Sequence, residues 1–295
     1  SAGVWPRGVV CRQLMEVPDH RDAIGSVHDL LFAHGVPGIQ DIDTRELTRR
    51  VREHGTVLCI FGPAEAEREM LVRLDEMTPP DAEDLVAEVT CDEAVIINPG
   101  AVDEEGKSLP RLAAIDCGVK YNILRELAQR FEVIWFPATT SFDDILKWKP
   151  DAFFASNGPG DPAHSGAATT ARDSLAAAVR TGLPVMGICL GHQLMGLAAG
   201  LRTYKLRYGH RGANQPVVDL ETGRVYITSQ NHGFAVEEET LPPTLEVTHR
   251  NLNDGTIEGI RHKTATAASV QYHPEAAAGP HDSSPLFVRF REMLD

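Results

Sequence analysis

The chain has 295 residues, of which 42% are hydrophobic and 24% are charged, a composition typical of a globular protein that buries a substantial core. Its net charge of −14 argues against nucleic acid as a ligand, because phosphate backbones bind basic surfaces. No apolar run approaches the ~20 residues that span a bilayer, and the N-terminus lacks a signal-peptide pattern. Five cysteines without a C-x-x-C pair argue against disulfides and structural zinc, so we expect a cytoplasmic protein.

The first third of the chain predicts short strands and helices in mixed order. "RGVVCRQ" predicts a strand, and "DAIGSVHDLLFAHG" predicts a helix that ends at Gly35. The helix in "DIDTRELTRRVREHG" begins at Asp43, with Glu46 at capping-box spacing, and ends at Gly55. "TVLCIFG" predicts a strand, and "AEAEREMLVRLDEM" and "DAEDLVAEV" predict two further helices.

The segment "NPGAVDEEGKSLPR" is rich in proline, glycine and acidic residues, which indicates a boundary between a domain of residues 1–105 and one of residues 106–295. The second domain first alternates strands with helices, which predicts a mainly parallel sheet with helices on both faces. The strands predicted in this part are "LAAID", "EVIWFP", "DAFFAS" and "LPVMGI", and the helices are "KYNILRELAQR" and "SGAATTARDSLAAAVRTG".

The last third of the chain changes character. Its predicted strands follow one another without long helices, which indicates an antiparallel extension of the sheet: "RVYITS", "TLEVTH", "GTIEGI" and "AASVQY". "PLFVRFREML" predicts a closing helix. The predicted fold is therefore α/β, with a mainly parallel sheet, flanking helices and an antiparallel extension, preceded by a smaller α/β domain.

One cysteine lies in a strand–turn–helix pattern, "LPVMGI" followed by "CLGHQLMGLAAG". Gly187 and Gly191 stand two residues on either side of Cys189, which is the spacing of a nucleophile elbow. A helix N-terminus at this place favours a thiolate, and the Leu190 N–H would point at a developing oxyanion. Packing is the alternative role for any buried cysteine, and we assign it to the other four, Cys11, Cys59, Cys91 and Cys117. The motif alone leaves both roles open.

A base with an orienting group is present in "ASVQYHPE". His273 follows a predicted strand, and Glu275 lies two residues on, so that both side chains of an extended segment point the same way. Pro274 biases His273 towards that extended conformation. Taken alone, His-x-Glu is more often a surface salt bridge. Together with Cys189 it predicts a Cys-His-Glu triad for acyl transfer.

In this order, "GICLGHQL" and "YHPE" resemble the class I (triad-type) glutamine amidotransferases. The resemblance implies that Cys189 attacks the side-chain amide of glutamine, that His273 protonates the departing ammonia and then activates water, and that Glu275 holds the imidazole ring. Further segments are similar to the small, glutamine-hydrolysing chain of carbamoyl-phosphate synthetase. They are "DIDTRELTRRVREHG", "IDCGVKYNILREL", "SNGPGDP", "YGHRGANQPV", "QNHGFAV" and "HPEAAAGPHDSSPLF".

The resemblance also implies the positions that bind glutamine, with one backbone N–H of the glycine loop completing the oxyanion hole: Gly158, Gly160, Leu190, Gln193, Asn231, Gly233 and Phe234. Without the family, "NGPGDP" predicts only a tight turn after a strand, and "NHGFAV" a turn with an aromatic anchor. Chains of this family normally begin with a further β-rich segment ahead of "RGVVCRQ", which supplies a serine that contacts glutamine. This sequence does not contain that segment, so we assign no serine.

The sequence has no phosphate-binding glycine motif and no residues at metal-ligand spacing, so we expect no cofactor or metal on this chain. Released ammonia therefore requires a partner that activates its acceptor. The resemblance implies a large chain that binds ATP with magnesium and bicarbonate and receives ammonia through a tunnel, in a heterodimer that makes carbamoyl phosphate for pyrimidine and arginine synthesis.

Three alternatives remain open from the residues. The chain could serve guanylate or anthranilate synthesis, against which the leading domain and the "HDSSPLF" segment argue. It could be a free-standing cysteine hydrolase of γ-glutamyl substrates, which would turn over quickly without a partner. It could also be a subunit without catalytic activity, a role that the presence of all three triad residues disfavours.

Overall fold

The computed structural model describes residues 4–20, 23–55, 57–277 and 279–295. The chain divides into two compact units, Ser1–Met77 and Thr78–Asp295. Among the described residues, every helix is too short or too polar to span a bilayer.

The division between the units falls earlier in the chain than the predicted boundary between residues 105 and 106. Residues 78–105 lie with the second unit because their polar groups bond to it. The Thr90 hydroxyl donates to the carbonyl of Asp116 (2.7 Å), and the Asn98 amide donates to the carbonyl of Phe131 (2.8 Å). The proline-rich and acidic composition marked an exposed loop within that unit.

The first unit is built of helices around a short parallel strand pair. Strand β1 pairs in parallel with β2, which matches the predicted small α/β domain. Its elements in chain order are β1 (Val9–Val10), α1 (Val27–Ala33), β2 (Gly38–Ile39), α2 (Thr44–His54) and α3 (Glu67–Glu76). The predicted start of the first helix, at Asp22, lies outside the described residues.

Helix α2 begins where its sequence predicts. The Asp43 carboxylate accepts from the Glu46 N–H (3.0 Å), and Gly55 ends the helix at φ 81°. The Glu46 carboxylate pairs with Arg50 (3.2 Å) and Arg49 (3.7 Å), so half of the capping box is formed. These pairs lie one turn away on the same helix face, where they compete for the carboxylate.

The strand predicted from "TVLCIFG" is wrong for residues 57–62, which the structure describes as irregular, while Thr56 lies outside the described residues. A strand exists only where a neighbouring backbone pairs with it, and in this unit β1 and β2 pair with each other. The Phe61 ring instead packs directly on Gly8, where an added Cβ would approach it to 2.6 Å. The apolar residues of this segment therefore reflect packing rather than pairing.

The second unit is a ten-stranded sheet in the order β3-β5-β4-β6-β7-β12-β11-β10-β8-β9. Strands β5, β4, β6, β7 and β12 are mutually parallel, and the remaining pairs are antiparallel. The strands are β3 (Val95–Ile96), β4 (Arg111–Asp116), β5 (Glu132–Pro137), β6 (Ala152–Ala155), β7 (Val185–Ile188), β8 (Thr203–Asp219), β9 (Val225–Val236), β10 (Leu245–Asn251), β11 (Ile257–His262) and β12 (Ala267–Val270). The helices are α4 (Leu85–Val89), α5 (Tyr121–Ala128), α6 (Phe142–Leu146), α7 (Ala167–Thr181), α8 (Leu190–Ala198) and α9 (Leu286–Glu292). The predicted fold class is confirmed.

The core lies on both faces of the parallel strands. In β4, Leu112 and Ala114 belong to one buried cluster, while Ala113 and Ile115 belong to the other. Side chains of a strand alternate between faces, so a strand covered by helices on both sides reads as a continuous apolar run. This explains why these strands were predictable from short apolar runs.

The antiparallel extension is longer than predicted. Strand β8 was not predicted, and β9 continues past Ser229 to Val236, so the turn predicted from "NHGFAV" is wrong. Gln230, His232 and Phe234 are buried while Asn231 is exposed, a strand alternation carried by polar residues. Apolar periodicity does not detect such a strand, because its buried positions are not apolar.

The close approach of α8 to the sheet depends on two glycines. A Cβ added to Gly187 would lie 2.5 Å from the Gly191 carbonyl oxygen, and one added to Gly191 would lie 2.1 Å from the Ala155 carbonyl oxygen. Both neighbours are backbone atoms, which cannot move without displacing a strand or a helix. The spacing G-x-C-x-G is therefore a packing requirement of this strand–helix junction.

We expect Gly191→Ala to lower the free energy of unfolding by about 1–3 kcal/mol, because the added methyl overpacks the junction. Denaturant unfolding measures the effect. Gly25→Ala is the matched control, since nothing lies within 4 Å of a Cβ added there. Equal losses in both variants would contradict the packing requirement.

Candidate active site

Cys189 lies at the bend between β7 and α8 and is 3% exposed. Its φ of 55° and ψ of −103° fall in a region that side chains other than glycine rarely adopt. Two backbone hydrogen bonds hold the bend: the Cys189 N–H donates to the Val270 carbonyl (2.9 Å), and the Gly191 N–H donates to the Ser156 carbonyl (3.0 Å). The bend thus keeps the thiol in one place at the N-terminus of a helix.

The Leu190 N–H is the first of α8 and has no acceptor within the helix. Gly158 packs against this residue: a Cβ added to Gly158 would lie 2.7 Å from Leu190 Cδ2 and 2.1 Å from the Cys117 carbonyl oxygen. The backbone at Gly158 and the start of α8 therefore lie side by side, as an oxyanion site requires. Gly160 turns the same loop at φ 87°, and its described neighbour is Leu85 rather than the bend.

His273 and Glu275 form a buried pair, with Nδ1 of the ring 2.7 Å from Oε1 of the carboxylate. The pair closes in a turn, because the Ala276 N–H donates to the His273 carbonyl (3.3 Å) and Pro274 occupies the position where its fixed φ suits a turn. The predicted extended geometry is therefore wrong, although the predicted contact is present. The His273 N–H donates to the Ser229 carbonyl (2.9 Å), which anchors the turn to β9.

The charges of the pair depend on its neighbours. Burial lowers the pKa of His273, but the charge and hydrogen bond of Cys189 and of Glu275 raise it further, to about 9. Burial raises the pKa of Glu275, but its hydrogen bond and ion pair with His273 and the charge of Lys120 leave it below its ordinary value. At neutral pH the carboxylate is ionised and the imidazole carries a second proton beside Cys189.

Two residues that were not assigned to the site hold Glu275 in place. Lys120 Nζ lies 3.2 Å from Glu275 Oε1, and the Asn122 amide donates to the Glu275 carbonyl (2.7 Å). Both belong to "IDCGVKYNILREL", at the start of α5. They lie more than 150 residues away in sequence, as the separation of 153 between Asn122 and Glu275 shows. A local pattern cannot reveal such a contact.

The predicted glutamine-binding residues on α8 and β9 are linked. The Gln193 amide donates to the Phe234 carbonyl (2.8 Å) and to Gln271 Oε1 (3.0 Å), so both of its hydrogens are used and its Oε1 is left as an acceptor. Asn231 and Gly233 share the face of β9 opposite to Phe234. Gln271 was not predicted, although it lies in "ASVQYHPE", two residues before His273.

Two protein families match the chain: "Glutamine amidotransferase class-I" over residues 113–293, and "Carbamoyl-phosphate synthase small chain, CPSase domain" over residues 1–61. The carbamoyl phosphate synthase small chain of Rhodopirellula baltica is 47% identical, over 100% of this chain and 79% of its own length. The chain belongs to the carbamoyl phosphate synthase small-chain family. Another member, the small chain of Methanocaldococcus jannaschii, is 45% identical, over 100% of this chain and 80% of its own length.

A solved structure shares the fold of this small-chain family member. It is that of a GMP synthase component from Thermoplasma acidophilum, with a TM-score of 0.55 and 18% identity over 63% of this chain and 94% of that one. At this identity the likeness concerns the fold alone. The family predicted from the motifs is confirmed.

We expect His273 to titrate near pH 9, and Glu275→Gln to move its pKa down towards the ordinary value of 6.5. The folded-state pKa lies above the unfolded one, so this group stabilises the fold fully below about pH 6.5 and ceases to do so as pH rises through about 9. Imidazole NMR signals followed against pH measure the titration. Glu126→Gln, which removes the carboxylate paired with Arg130 on α5, is the control that leaves it unchanged. The same His273 pKa in both variants would contradict the assignment.

Proposed function

We propose that this chain hydrolyses L-glutamine to glutamate and ammonia with Cys189 as nucleophile, His273 as acid and base, and Glu275 as the group that orients the ring. The proposal depends above all on one observation: a buried thiol on a strained bend shares a charge interaction with an imidazole that a buried carboxylate holds. Buried charges arranged in this way are costly to the fold and are typical of catalytic sites.

In the first step, the Cys189 thiolate attacks the side-chain carbonyl carbon of glutamine and forms a C–S bond. The carbonyl oxygen takes the negative charge, and the Leu190 N–H together with an N–H of the loop at Gly158 stabilises it. The contact between Gly158 and Leu190 supports this pairing of donors. Because the donors belong to the backbone of the bend, they need no rearrangement when the charge develops.

His273 then donates its proton to the amide nitrogen, the C–N bond breaks, and ammonia leaves with a thioester on Cys189. The neutral ring next takes a proton from water, whose oxygen attacks the thioester. The C–S bond breaks, glutamate leaves, and the thiolate and imidazolium return. Glu275 remains ionised throughout, because its pKa lies below the ordinary range.

The amino-acid end of glutamine is held, in this proposal, by α8 and by one face of β9. Gln193 Oε1 can accept from the ammonium group, since the two amide hydrogens of Gln193 are already used. Asn231 is exposed on β9, and Gly233 beside it lets a ligand approach the backbone.

Ammonia passes, in this proposal, to a carbamoyl-phosphate synthetase large chain that uses ATP and magnesium to make carbamoyl phosphate from bicarbonate. The match of residues 1–61 to the domain named for that synthase supports this partner over one of guanylate or anthranilate synthesis. The leading unit therefore supplies the evidence for the partner, and the second unit supplies the chemistry.

We expect Cys189→Ala to reduce glutamine-dependent carbamoyl phosphate synthesis by about 10³-fold or more in the complex with the large chain, because the nucleophile is lost. Synthesis from added ammonia should remain largely intact, and assays with the two nitrogen donors in parallel measure the difference. Cys91→Ala removes a half-buried thiol away from the bend and is the matched control. Loss of both activities together in a folded variant would overturn the division of labour.

A further inference from the structure

A second cluster of ligating side chains lies on the face of β9 opposite to Asn231 and Gly233. Among the described residues, His210, His232 and Glu258 place one ligating atom each within 4.8 Å of one another. His210 on β8 is the register partner of His232 on β9, and their rings meet edge to face at 4.8 Å. Glu258 on β11 has a fully buried carboxylate.

His210 presents one ring nitrogen to this cluster. Its Nε2 donates to the Asp254 carboxylate (2.8 Å), which leaves Nδ1 3.3 Å from Glu258 Oε1. Nδ1 is buried and has no hydrogen-bond partner among the described residues, and neither has the second carboxylate oxygen, Glu258 Oε2. Two buried ligating atoms are therefore without a hydrogen bond, which is costly to a fold unless something else occupies them.

His232 meets an oxygen at each ring nitrogen. Nδ1 lies 2.8 Å from the Phe234 carbonyl, and Nε2 lies 3.0 Å from Gln230 Oε1. The Gln230 amide cannot reverse, because its nitrogen donates to Thr228 Oγ1 (3.1 Å), whose own hydrogen is used by the Gln215 carbonyl (2.9 Å). A neutral imidazole carries one hydrogen, so one nitrogen faces an oxygen with two lone pairs opposed. An electron-pair acceptor between them would remove that conflict.

We propose that His210, His232 and Glu258 bind a divalent cation of the zinc class, with the side-chain oxygen of Gln230 as fourth ligand. Two imidazole nitrogens and a carboxylate oxygen form a recurring zinc ligand set. Tetrahedral zinc places its ligand atoms about 3.3 Å apart, which matches the 3.3 Å between His210 Nδ1 and Glu258 Oε1 and approaches the 3.0 Å between His232 Nε2 and Gln230 Oε1. The widest separation, 4.8 Å, closes by small side-chain rotations.

The surroundings of the cluster already have the form that metal ligands require. A ligating histidine donates its other N–H to an oxygen, and here Asp254 and the Phe234 carbonyl accept from His210 and His232. The Asn251 amide donates to Glu258 Oε1 (3.2 Å), which holds the carboxylate in place. These contacts fix which nitrogen of each ring faces the cluster.

An acidic cavity provides an approach for a cation. It has a volume of about 360 Å³, and its lining includes Glu237, Glu238, Glu239 and Asp254. The Asp254 side chain is 42% exposed, so it contacts solvent while it bonds to His210. Carboxylates that line a concave surface concentrate cations there. The inference does not depend on the proposed glutaminase activity.

The test is a zinc titration of the full chain against a chromogenic chelator, in the Cys189→Ala background so that the thiol beside His273 does not compete. We expect one zinc ion per chain, with an affinity lowered about 100-fold or more by Glu258→Gln and about 10–100-fold by Asp254→Asn. His281→Gln removes an exposed histidine and is the control that leaves the affinity unchanged. Cobalt bound in place of zinc should show tetrahedral visible absorption without a thiolate charge-transfer band.

Zinc bound with equal affinity by wild-type residues and by both variants would overturn the proposal, as would binding no tighter than that of a chain lacking both His210 and Glu258. Either result would mean that the cluster is a hydrogen-bonded network only. Circular dichroism establishes that each variant is folded. Should Glu258→Gln not fold, Asp254→Asn decides the question, because its side chain lies partly in solvent and its loss leaves the buried carboxylate in place.

Discussion

The close approach of α8 to β7 and β6 is the constraint on which the candidate site depends. Gly187 and Gly191 permit it, since any side chain at either position would meet backbone oxygen. The approach forces Cys189 to φ 55°, a strained conformation that costs about 1–3 kcal/mol. Buried strands on both sides of the bend offset that cost. The core therefore determines where the thiol, the first N–H of α8 and the neighbouring loop lie relative to one another.

Burial makes the charges of the site mutually dependent. His273 is 2% exposed and Glu275 is 3% exposed, so each charge would be costly alone. Each is stabilised by the other, by Cys189 on one side, and by Lys120 (3.2 Å from Glu275) on the other. Removal of one group leaves a buried charge without its partner. The same ion pairs that hold the imidazole for proton transfer thus contribute to the stability of the folded state.

The elements that were predictable from sequence are those with local signals. The bend at Cys189 follows from two glycines and a strand–helix pattern, and α2 begins at Asp43 because of a cap three residues from its donor. What was missed depends on distant partners. Residues 57–62 have strand composition but are not paired as a strand, and the contact of Lys120 with Glu275 joins segments that only the sheet order brings together. Secondary structure is local, whereas the site is largely non-local.

Strand β9 was the hardest element to predict, and the reason bears on what it does. Its buried face carries Thr228, Gln230 and His232, which an apolar row would replace at lower cost to the fold. Their polar groups are hydrogen-bonded in a chain that ends at the oxygen facing the His232 ring. Such a row is justified where it positions ligating atoms, and the Phe234 carbonyl, which accepts from both His232 and Gln193, connects it to the other face. The polarity that hid the strand from apolar periodicity is therefore the feature that gives both faces their chemistry.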